Sequence, residues 1–158
     1  MIQTLEWTAS GVRFIDQTKL PNEEVYVTCT THQQVADVIR NMVVRGAPAI
    51  GVAAAMGIAL GVNNSTAESI DKLRQEFDHI CDMIGKTRPT AVNLFWAIGR
   101  MRKKFDLLSG KSISQIKQSL SFSRRMAAPQ PGQVIPFPCP RTMDCALVTC
   151  YRRGIQYS

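Results

Sequence analysis

The chain has 158 residues, 45% of them hydrophobic and 20% charged, and a formal net charge of +7. This length allows one domain with a hydrophobic core and argues against two, and the composition is that of an ordinary soluble globular protein. Residues 1–120 carry 14 basic and 11 acidic side chains, whereas residues 121–158 carry 5 and 1. Because the positive excess lies mainly in the tail, it is only a weak argument for nucleic-acid binding.

The cysteines and the N-terminal residues indicate in which cellular compartment the protein is expected. The five cysteines, at positions 29, 81, 139, 145 and 150, form no CxxC pair. An odd number without metal-ligand spacing predicts reduced thiols in a cytoplasmic protein. Residues 1–7 contain neither a basic stretch nor an apolar run, so we expect no export signal. The uncharged run over residues 47–62 is shorter than the roughly 18–20 residues that span a bilayer, which favours a core helix over a membrane span.

The first 29 residues have the pattern of short β-strands. Apolar residues flank the dipeptide Ser10-Gly11, as in a hairpin, and alternate with other residues over positions 25–29. Residues 19–22, which include Pro21, are typical of a turn between strands. We therefore predict a small antiparallel sheet at the N-terminus.

Helical spacing replaces this alternation from residue 32 onward, so the predicted fold class is α+β, a small antiparallel sheet followed by a helical bundle. The first helix is predicted over about residues 32–44, opened by the capping box Thr31-His-Gln-Gln34. Its core-facing stripe consists of Val35, Val38, Ile39 and Met42. The apolar helix, from Pro48 to about Val62, follows it.

Three further helices are predicted. The first follows a second capping box, Ser65-x-x-Glu68, and ends near Gly85; its buried residues are Ile70, Leu73, Phe77, Ile80 and Ile84. The next is opened by Pro89 and directs inward Phe95, Ile98, Met101 and Phe105. The last and weakest begins at Ser112-x-x-Gln115 and places on one side Ile113, Ile116 and Leu120.

Residues 121–158 differ from the rest of the chain. They hold five of the eight prolines and three of the five cysteines, without a hydrophobic period. We predict a folded domain over residues 1–120 and an irregular tail over 121–158. The tail resembles a sequence translated out of frame, and a natural disordered tail is the alternative.

The segment Arg45-Gly46-Ala47-Pro48 is suited to binding an anion. Proline is favoured at the start of a helix, and the free N–H groups there carry a partial positive charge. Gly46 and Ala47 have no bulky side chain to hold a ligand away, and Arg45 supplies a forked, permanently charged donor. One interpretation is a phosphate cradle. The other is a tight connection between helices with a solvated arginine.

The segment Arg88-Pro-Thr-Ala91 has the same order of residues, with an arginine ahead of a second proline-opened helix. Thr87 and Thr90 add hydroxyls suited to capping or to a ligand oxygen. If the two loops converge, two guanidinium groups and two sets of amides would bind one phosphate monoester. The alternative is that each arginine caps the carbonyls of a neighbouring helix.

Other candidates for chemistry are weak. His32 and His79 have no second ligand at metal-binding spacing, so we expect no metal ion. Asp78 and Asp82 are expected to be solvated rather than an acid–base pair, and Cys29 and Cys81 to be buried small apolar residues. The chain has no Walker A loop and no GxGxxG motif, and we predict no cofactor and no catalytic residue.

Two stretches resemble a known family. Residues 40–51 read Arg-Asn-Met-Val-Val-Arg-Gly-Ala-Pro-Ala-Ile-Gly, and residues 87–94 read Thr-Arg-Pro-Thr-Ala-Val-Asn-Leu. With the opening strands, they resemble the methylthioribose-1-phosphate isomerases, which belong with the initiation factor 2B α/β/δ-like proteins. The resemblance covers about residues 1–120. It implies isomerisation of 5-methylthioribose 1-phosphate to the ribulose 1-phosphate, a step of methionine salvage, with substrate bound chiefly through its phosphate by Arg45, Gly46, Ala47 and Arg88.

The chain departs from this family in its second half. Family members are longer, form homodimers, and carry a Rossmann-like domain with a cysteine in a Thr-His-Cys-Asn-type motif and an aspartate that moves a proton. Neither motif occurs here, so no role passes to Cys139, Cys145, Cys150 or Asp144. We therefore expect this chain to bind a sugar phosphate weakly and to be inactive on its own.

Two other hypotheses remain open at this point. One is a non-catalytic regulatory module of the initiation factor 2B kind, which would use the same cradle to sense a sugar phosphate or a nucleotide. The other is a basic nucleic-acid binder, supported by the net charge alone. The pairing of the two arginine motifs favours the isomerase.

Overall fold

The computed structural model describes residues 4–127, with side chains described for residues 4–120. Three strands are followed by five helices in this part of the chain. The elements are β1 Leu5–Thr8, β2 Gly11–Ile15, β3 Tyr26–Cys29, α1 His32–Arg40, α2 Ala47–Asn64, α3 Ile70–Gly85, α4 Val92–Leu107 and α5 Ile113–Ala127. The predicted α+β class, a small sheet followed by a helical bundle, is confirmed.

The three strands form an antiparallel sheet in the order β1-β2-β3. Leu5 pairs with Phe14 across the first hairpin, and Val12 pairs with Cys29 on the other side of the central strand. The central strand buries Val12 and Phe14 in the core, while β3 begins at Tyr26, so Val25 lies just outside the sheet and is exposed. The sheet therefore provides one wall of the core.

The apolar helix α2 is the centre of the bundle, because it contacts α1, α3, α4, α5 and strand β2. Among the described residues, α2 is the one helix that is long and apolar enough to cross a membrane, with a mean hydropathy of 1.3. However, 67% of it is buried inside the fold. Its glycines allow neighbouring helices to approach: a Cβ on Gly57 would lie 2.8 Å from Cγ1 of Val35, and one on Gly61 would lie 2.6 Å from Cδ1 of Ile80. This burial identifies α2 as a core helix.

Contacts along α2 give the direction of its neighbours. Gly57 faces Val35 and Ile84, whereas Gly61, one turn further on, faces His32 and Ile80. Residue numbers fall along α1 and α3 as they rise along α2, so both helices run antiparallel to α2.

Helix α4 returns antiparallel to α3. Arg74, near the start of α3, pairs with Asp106, near the end of α4, at 2.6 Å. Asp82, near the end of α3, pairs with Arg102, four residues closer to the start of α4, at 2.7 Å. Since α2 and α4 both oppose α3, they run in the same direction. Both begin at one end of the bundle, formed by residues 41–48 and 86–92, which we call the α2/α4 end.

The end of α1 differs from the prediction. The helix stops at Arg40 because Met42 adopts a left-handed conformation, with φ of 58°. The Met42 N–H donates to the Ile39 carbonyl at 3.3 Å, and the Val43 N–H donates to the Val38 carbonyl at 3.1 Å. This pair of bonds is a Schellman motif, in which the left-handed position is usually glycine. Met42 is 41% exposed, so its predicted place in the core stripe is wrong.

Three other details also differ. Helix α3 is capped by Ser69, whose side chain accepts from the Lys72 N–H, and not by the predicted box at Ser65. Ile70 is 37% exposed and Phe95 is 47% exposed, so neither belongs to the core. The remaining predicted inward residues of these two helices are buried: Leu73, Phe77, Ile80, Ile84, Ile98, Met101 and Phe105.

The start of α5 follows the prediction. Ser112 and Gln115 exchange a reciprocal pair of hydrogen bonds, in which the Ser112 N–H donates to Oε1 at 3.2 Å and the Gln115 N–H donates to Oγ at 3.4 Å. The helix continues to Ala127 and so passes the predicted boundary at residue 120. Predictions for residues 128–158 lie outside the described residues.

Candidate functional site

Helix α2 begins with donors that its own backbone does not use. Gly46 is the N-cap, with φ of 86° and ψ of 133°, and no side chain caps the helix. The N–H groups of Ala47 and Ala49 have no partner inside the helix by position, and Pro48 has no N–H. Positions 45–48 are all exposed. A Cβ on Gly46 would find nothing within 4 Å, so the space in front of this helix start is open.

The connection that carries Arg45 is held from the side by Gln17. The Arg45 N–H donates to Oε1 of Gln17 at 3.2 Å, and the Gln17 N–H donates to the Val43 carbonyl at 3.0 Å. This contact could not be predicted from the sequence, because it joins residues 28 positions apart and no periodic pattern signals it.

The second loop is built differently from the first. Helix α4 begins at Val92 with Ala91 as its N-cap, so Pro89 does not open it and that prediction is wrong. Residues 88–91 instead form a turn closed by the Ala91 N–H, which donates to the Arg88 carbonyl at 3.1 Å. Arg88 is half-buried in this turn. Thr87 is buried and donates from Oγ1 to the Ile84 carbonyl at 2.6 Å, so its hydroxyl caps α3 rather than facing a ligand.

The starts of α2 and α4 touch. A Cβ on Gly51 would lie 3.1 Å from the carbonyl oxygen of Asn93 and 3.6 Å from its Cβ. Gly51 is the fifth residue of α2 and Asn93 the second of α4, so the contact lies within two turns of each helix start. The connections that carry Arg45 and Arg88 therefore belong to the same end of the bundle.

The electrostatics of this end favour an anion. Neither α2 nor α4 has an acidic residue in its first turn, so no carboxylate there offsets the partial positive charge of either helix. Two parallel helix starts and two arginines have the chemistry that binds a phosphate group. The same first turns supply no general acid or base for a reaction on that ligand. Among the described residues, no group of three or more His, Cys, Asp and Glu side chains is arranged to hold a metal ion.

An open groove of about 480 Å³ lies at the opposite end of the bundle. It brings together His32 and His79, which lie far apart in the sequence, and it is also lined by Glu76. Burial lowers the pKa of His32, the charge of His79 lowers it further, and Glu76 raises it. The contact could not be read from spacing, because the two imidazoles come from different helices.

Other titratable groups have structural partners. Burial raises the pKa of Cys29 to about 11 and that of Cys81 to about 12, so both thiols stay protonated at neutral pH. Their predicted role as buried small residues is confirmed. Asp78 pairs with Arg74 at 3.1 Å, and Asp82 pairs with Arg102 at 2.7 Å. These two carboxylates therefore form surface ion pairs with arginines.

Comparison with known proteins identifies relatives of this fold. The Initiation factor 2 subunit family matches residues 43–130, more than half of the chain. A curated protein from Koribacter versatilis, named methylthioribose-1-phosphate isomerase, is 57% identical over 125 residues, which cover 79% of this chain and 35% of that protein. One of the same name from Trichlorobacter lovleyi is 51% identical over 118 residues, or 75% of this chain and 34% of that protein.

Two solved structures have the same fold over most of the described residues. The 5-methylthioribose 1-phosphate isomerase of Pyrococcus horikoshii OT3 superposes with a TM-score of 0.77 and 36% identity, covering 81% of this chain and 36% of that one. The delta subunit of translation initiation factor eIF-2B from A. fulgidus gives a TM-score of 0.73 and 34% identity, covering 80% and 36%. The chain thus spans about a third of the length of these relatives, and the family resemblance seen in its motifs is confirmed.

Proposed function

The chain belongs to the Initiation factor 2 subunit family, and we propose that it is the phosphate-binding N-terminal part of a methylthioribose-1-phosphate isomerase. Its curated relatives of that name are up to 57% identical over residues that include both arginine loops. The names of these relatives imply that the substrate class is a sugar phosphate. A phosphate group suits the α2/α4 end, because no carboxylate in the first turns of α2 and α4 offsets the positive charge there.

The observation that carries this proposal is the contact between Gly51 and Asn93, because it brings two helix starts together. In the proposed complex, the amides of Ala47 and Ala49 donate to phosphate oxygens, and the guanidinium of Arg45 donates through its fork. Arg88, which precedes the start of α4, contributes a second guanidinium. Charge-assisted bonds of this kind are the strong ones in proteins, so each arginine is expected to contribute substantially to affinity.

Binding and turnover are separate in this proposal. Moving a proton between two sugar carbons requires a positioned acid or base, and the first turns of α2 and α4 hold neither Asp nor Glu. We expect a polypeptide of this sequence to bind 5-methylthioribose 1-phosphate without converting it.

The test is a titration of the isotope-labelled 158-residue chain with 5-methylthioribose 1-phosphate, followed by NMR. The amide signals of Gly46, Ala47 and Ala49 should shift with ligand. Arg45→Ala and Arg88→Ala should each weaken binding by about tenfold or more, the value of a hydrogen bond to a charged group. Equal affinities for these variants and wild type contradict the proposal, as do shifts confined to the groove at the opposite end.

Arg100→Ala is the matched control. It removes the same charge from a position whose guanidinium carbon lies 4.9 Å from the centre of the Trp96 ring, further along α4. Its affinity should stay close to that of wild type, since it lies outside residues 41–48 and 86–92. A loss as large as that of Arg45→Ala would mean that net charge, and not the site, governs binding.

A nucleotide-sensing or regulatory module is the second candidate. It is supported by the likeness to the delta subunit of eIF-2B, at a TM-score of 0.73. Titration with adenosine and guanosine monophosphates distinguishes the two, because a sensor of this kind should bind a nucleotide more tightly than 5-methylthioribose 1-phosphate. The higher identity to the isomerases favours the first candidate.

A further inference from the structure

We propose that Gln17 is a positioning residue, which holds Arg45 in the orientation that binds an anion; this inference rests on the proposed function of the α2/α4 end. Gln17 lies just beyond β2 and far from Arg45 in sequence. Nothing in its own sequence neighbourhood points to a role in ligand binding.

Gln17 holds the connection between α1 and α2 at two points. Its N–H donates to the Val43 carbonyl at 3.0 Å, and its Oε1 accepts the Arg45 N–H at 3.2 Å. One residue thus binds the backbone of this connection twice, at Val43 and at the N–H of Arg45, from which the arginine side chain departs. The other fixed points of this connection are the Schellman motif at Met42 and the start of α2 at Gly46.

Gln17 follows a hydrogen bond that continues the pairing of β2 with β3 by one residue beyond the sheet. The N–H of its neighbour Asp16 donates to the Val25 carbonyl at 2.8 Å. Oδ1 of Asp16 accepts from Thr18, from the backbone N–H at 2.9 Å and from the hydroxyl at 2.6 Å. This side-chain-to-backbone turn restricts residues 16–18. Gln17 therefore links the hydrogen-bonded backbone at the end of β2 to the exposed loop that carries Arg45.

The chemistry of glutamine suits this position. A neutral amide oxygen satisfies the Arg45 N–H without placing a negative charge beside the bound anion. A glutamate would accept the same hydrogen bond but would repel the ligand. A methionine would have similar length but would leave the Arg45 N–H without this acceptor.

The experiment is a double-mutant cycle in the 158-residue chain, with NMR titration of 5-methylthioribose 1-phosphate as the binding measurement and thermal unfolding as the stability measurement. Gln17→Met should weaken binding by about threefold to tenfold, the value of one hydrogen bond. Arg45→Ala keeps the backbone N–H that Gln17 accepts but leaves no guanidinium to orient, so in this background the same change should have little further effect. A merely structural role would weaken binding equally in both backgrounds, and this result would overturn the inference.

The control is Gln33→Met, the same substitution at an exposed position of α1 at the opposite end, which should leave affinity unchanged. If Arg45→Ala weakens binding and Gln17→Met does not, the inference is overturned and the proposed function stands. If Arg45→Ala itself has no effect, the proposed function fails.

If Gln17→Met does not fold, Gln17→Asn decides the question. Its amide is one methylene shorter, which withdraws the acceptor from the Arg45 N–H without changing the charge, so binding should weaken as for Gln17→Met. Affinity equal to that of wild type would overturn the inference.

Discussion

Gly51 lies against the backbone of Asn93, so closely that a Cβ at this position would fall 3.1 Å from the Asn93 carbonyl oxygen. Only a residue without a side chain allows α2 and α4 to meet at this point without a shift. The contact fixes the separation of two helix starts that carry like partial charges. It is therefore a packing contact, and in the proposed complex it sets the distance between the two groups of donors.

Gly51→Val should move the two helix starts apart. We expect it to lower the free energy of unfolding by about 1–3 kcal/mol, as overpacked sites do, and to weaken phosphate binding. Urea unfolding and ligand titration measure the two effects. Gly99→Val is the control, since a Cβ there would have nothing within 4 Å. Comparable losses in both variants would contradict the role given to Gly51.

Gly57 and Gly99 should respond to alanine with opposite signs. A Cβ on Gly57 would lie 2.8 Å from Cγ1 of Val35, a β-branched side chain with little rotamer freedom, so Gly57→Ala should destabilise by about 1–2 kcal/mol. Gly99→Ala should stabilise by about 0.5–1 kcal/mol, because alanine is the better helix former and meets no neighbour. Thermal unfolding measures both effects. A stabilising Gly57→Ala would show that Val35 can move aside and that α2 is not tightly enclosed at Gly57.

Met42→Gly should stabilise the chain. A left-handed conformation costs a residue with a side chain roughly 1–2 kcal/mol, and glycine avoids this cost. Part of the gain is offset because glycine is more flexible in the unfolded state. The expected net gain is about 0.5–1 kcal/mol in urea unfolding. Asn41→Gly is the control, because Asn41 has a φ of −82° and carries no such strain. A gain at Asn41 equal to that at Met42 would mean that the strain is not the cause.

The pKa of His32 should depend on its neighbours in the groove at the opposite end of the bundle. Burial and the charge of His79 keep the pKa of His32 below its ordinary 6.5, and Glu76 opposes them. His79→Gln should therefore raise the pKa of His32, and Glu76→Gln should lower it, as measured by NMR of the imidazole protons. The depressed pKa makes a contribution to stability that is complete above pH 6.5 and is lost as the pH falls from there through the folded-state pKa. A pKa of His32 unmoved by both substitutions would contradict this dependence.

Much of the fold follows from local patterns. The capping box at Thr31 and the buried stripe of α3 from Leu73 to Ile84 depend on contacts within one turn or one face of a helix, and both are found where the spacing indicates. Patterns failed where a competing local option existed. Ser65 and Ser69 are equally good caps in isolation, and the turn from α2 back to α3 uses the later one. Phe95 was placed inward by its spacing, although Leu94 and Ala97 occupy the buried face of α4.

Only part of the candidate site could be predicted from the sequence. The chemistry of Arg45 and Gly46 can be read from residue types, because helix starts bind anions wherever they occur. Whether Arg88 lies at the same end depends on three successive helix directions, which no local pattern encodes. The support from Gln17 depends in turn on how the sheet packs beside that end. The prediction that Pro89 opens α4 is wrong for a local reason: Pro89 lies inside the turn of residues 88–91, which precedes the helix.

One consequence of the enclosure of α2 concerns amide hydrogen exchange. From Ala53 to Val62 almost every side of this helix is covered, so its N–H groups should reach solvent only when the whole bundle opens. The first turn of the same helix is open, and its amides should exchange within the time of sample preparation. The slowest and the fastest protons of the bundle are therefore expected on one continuous helix, a few residues apart.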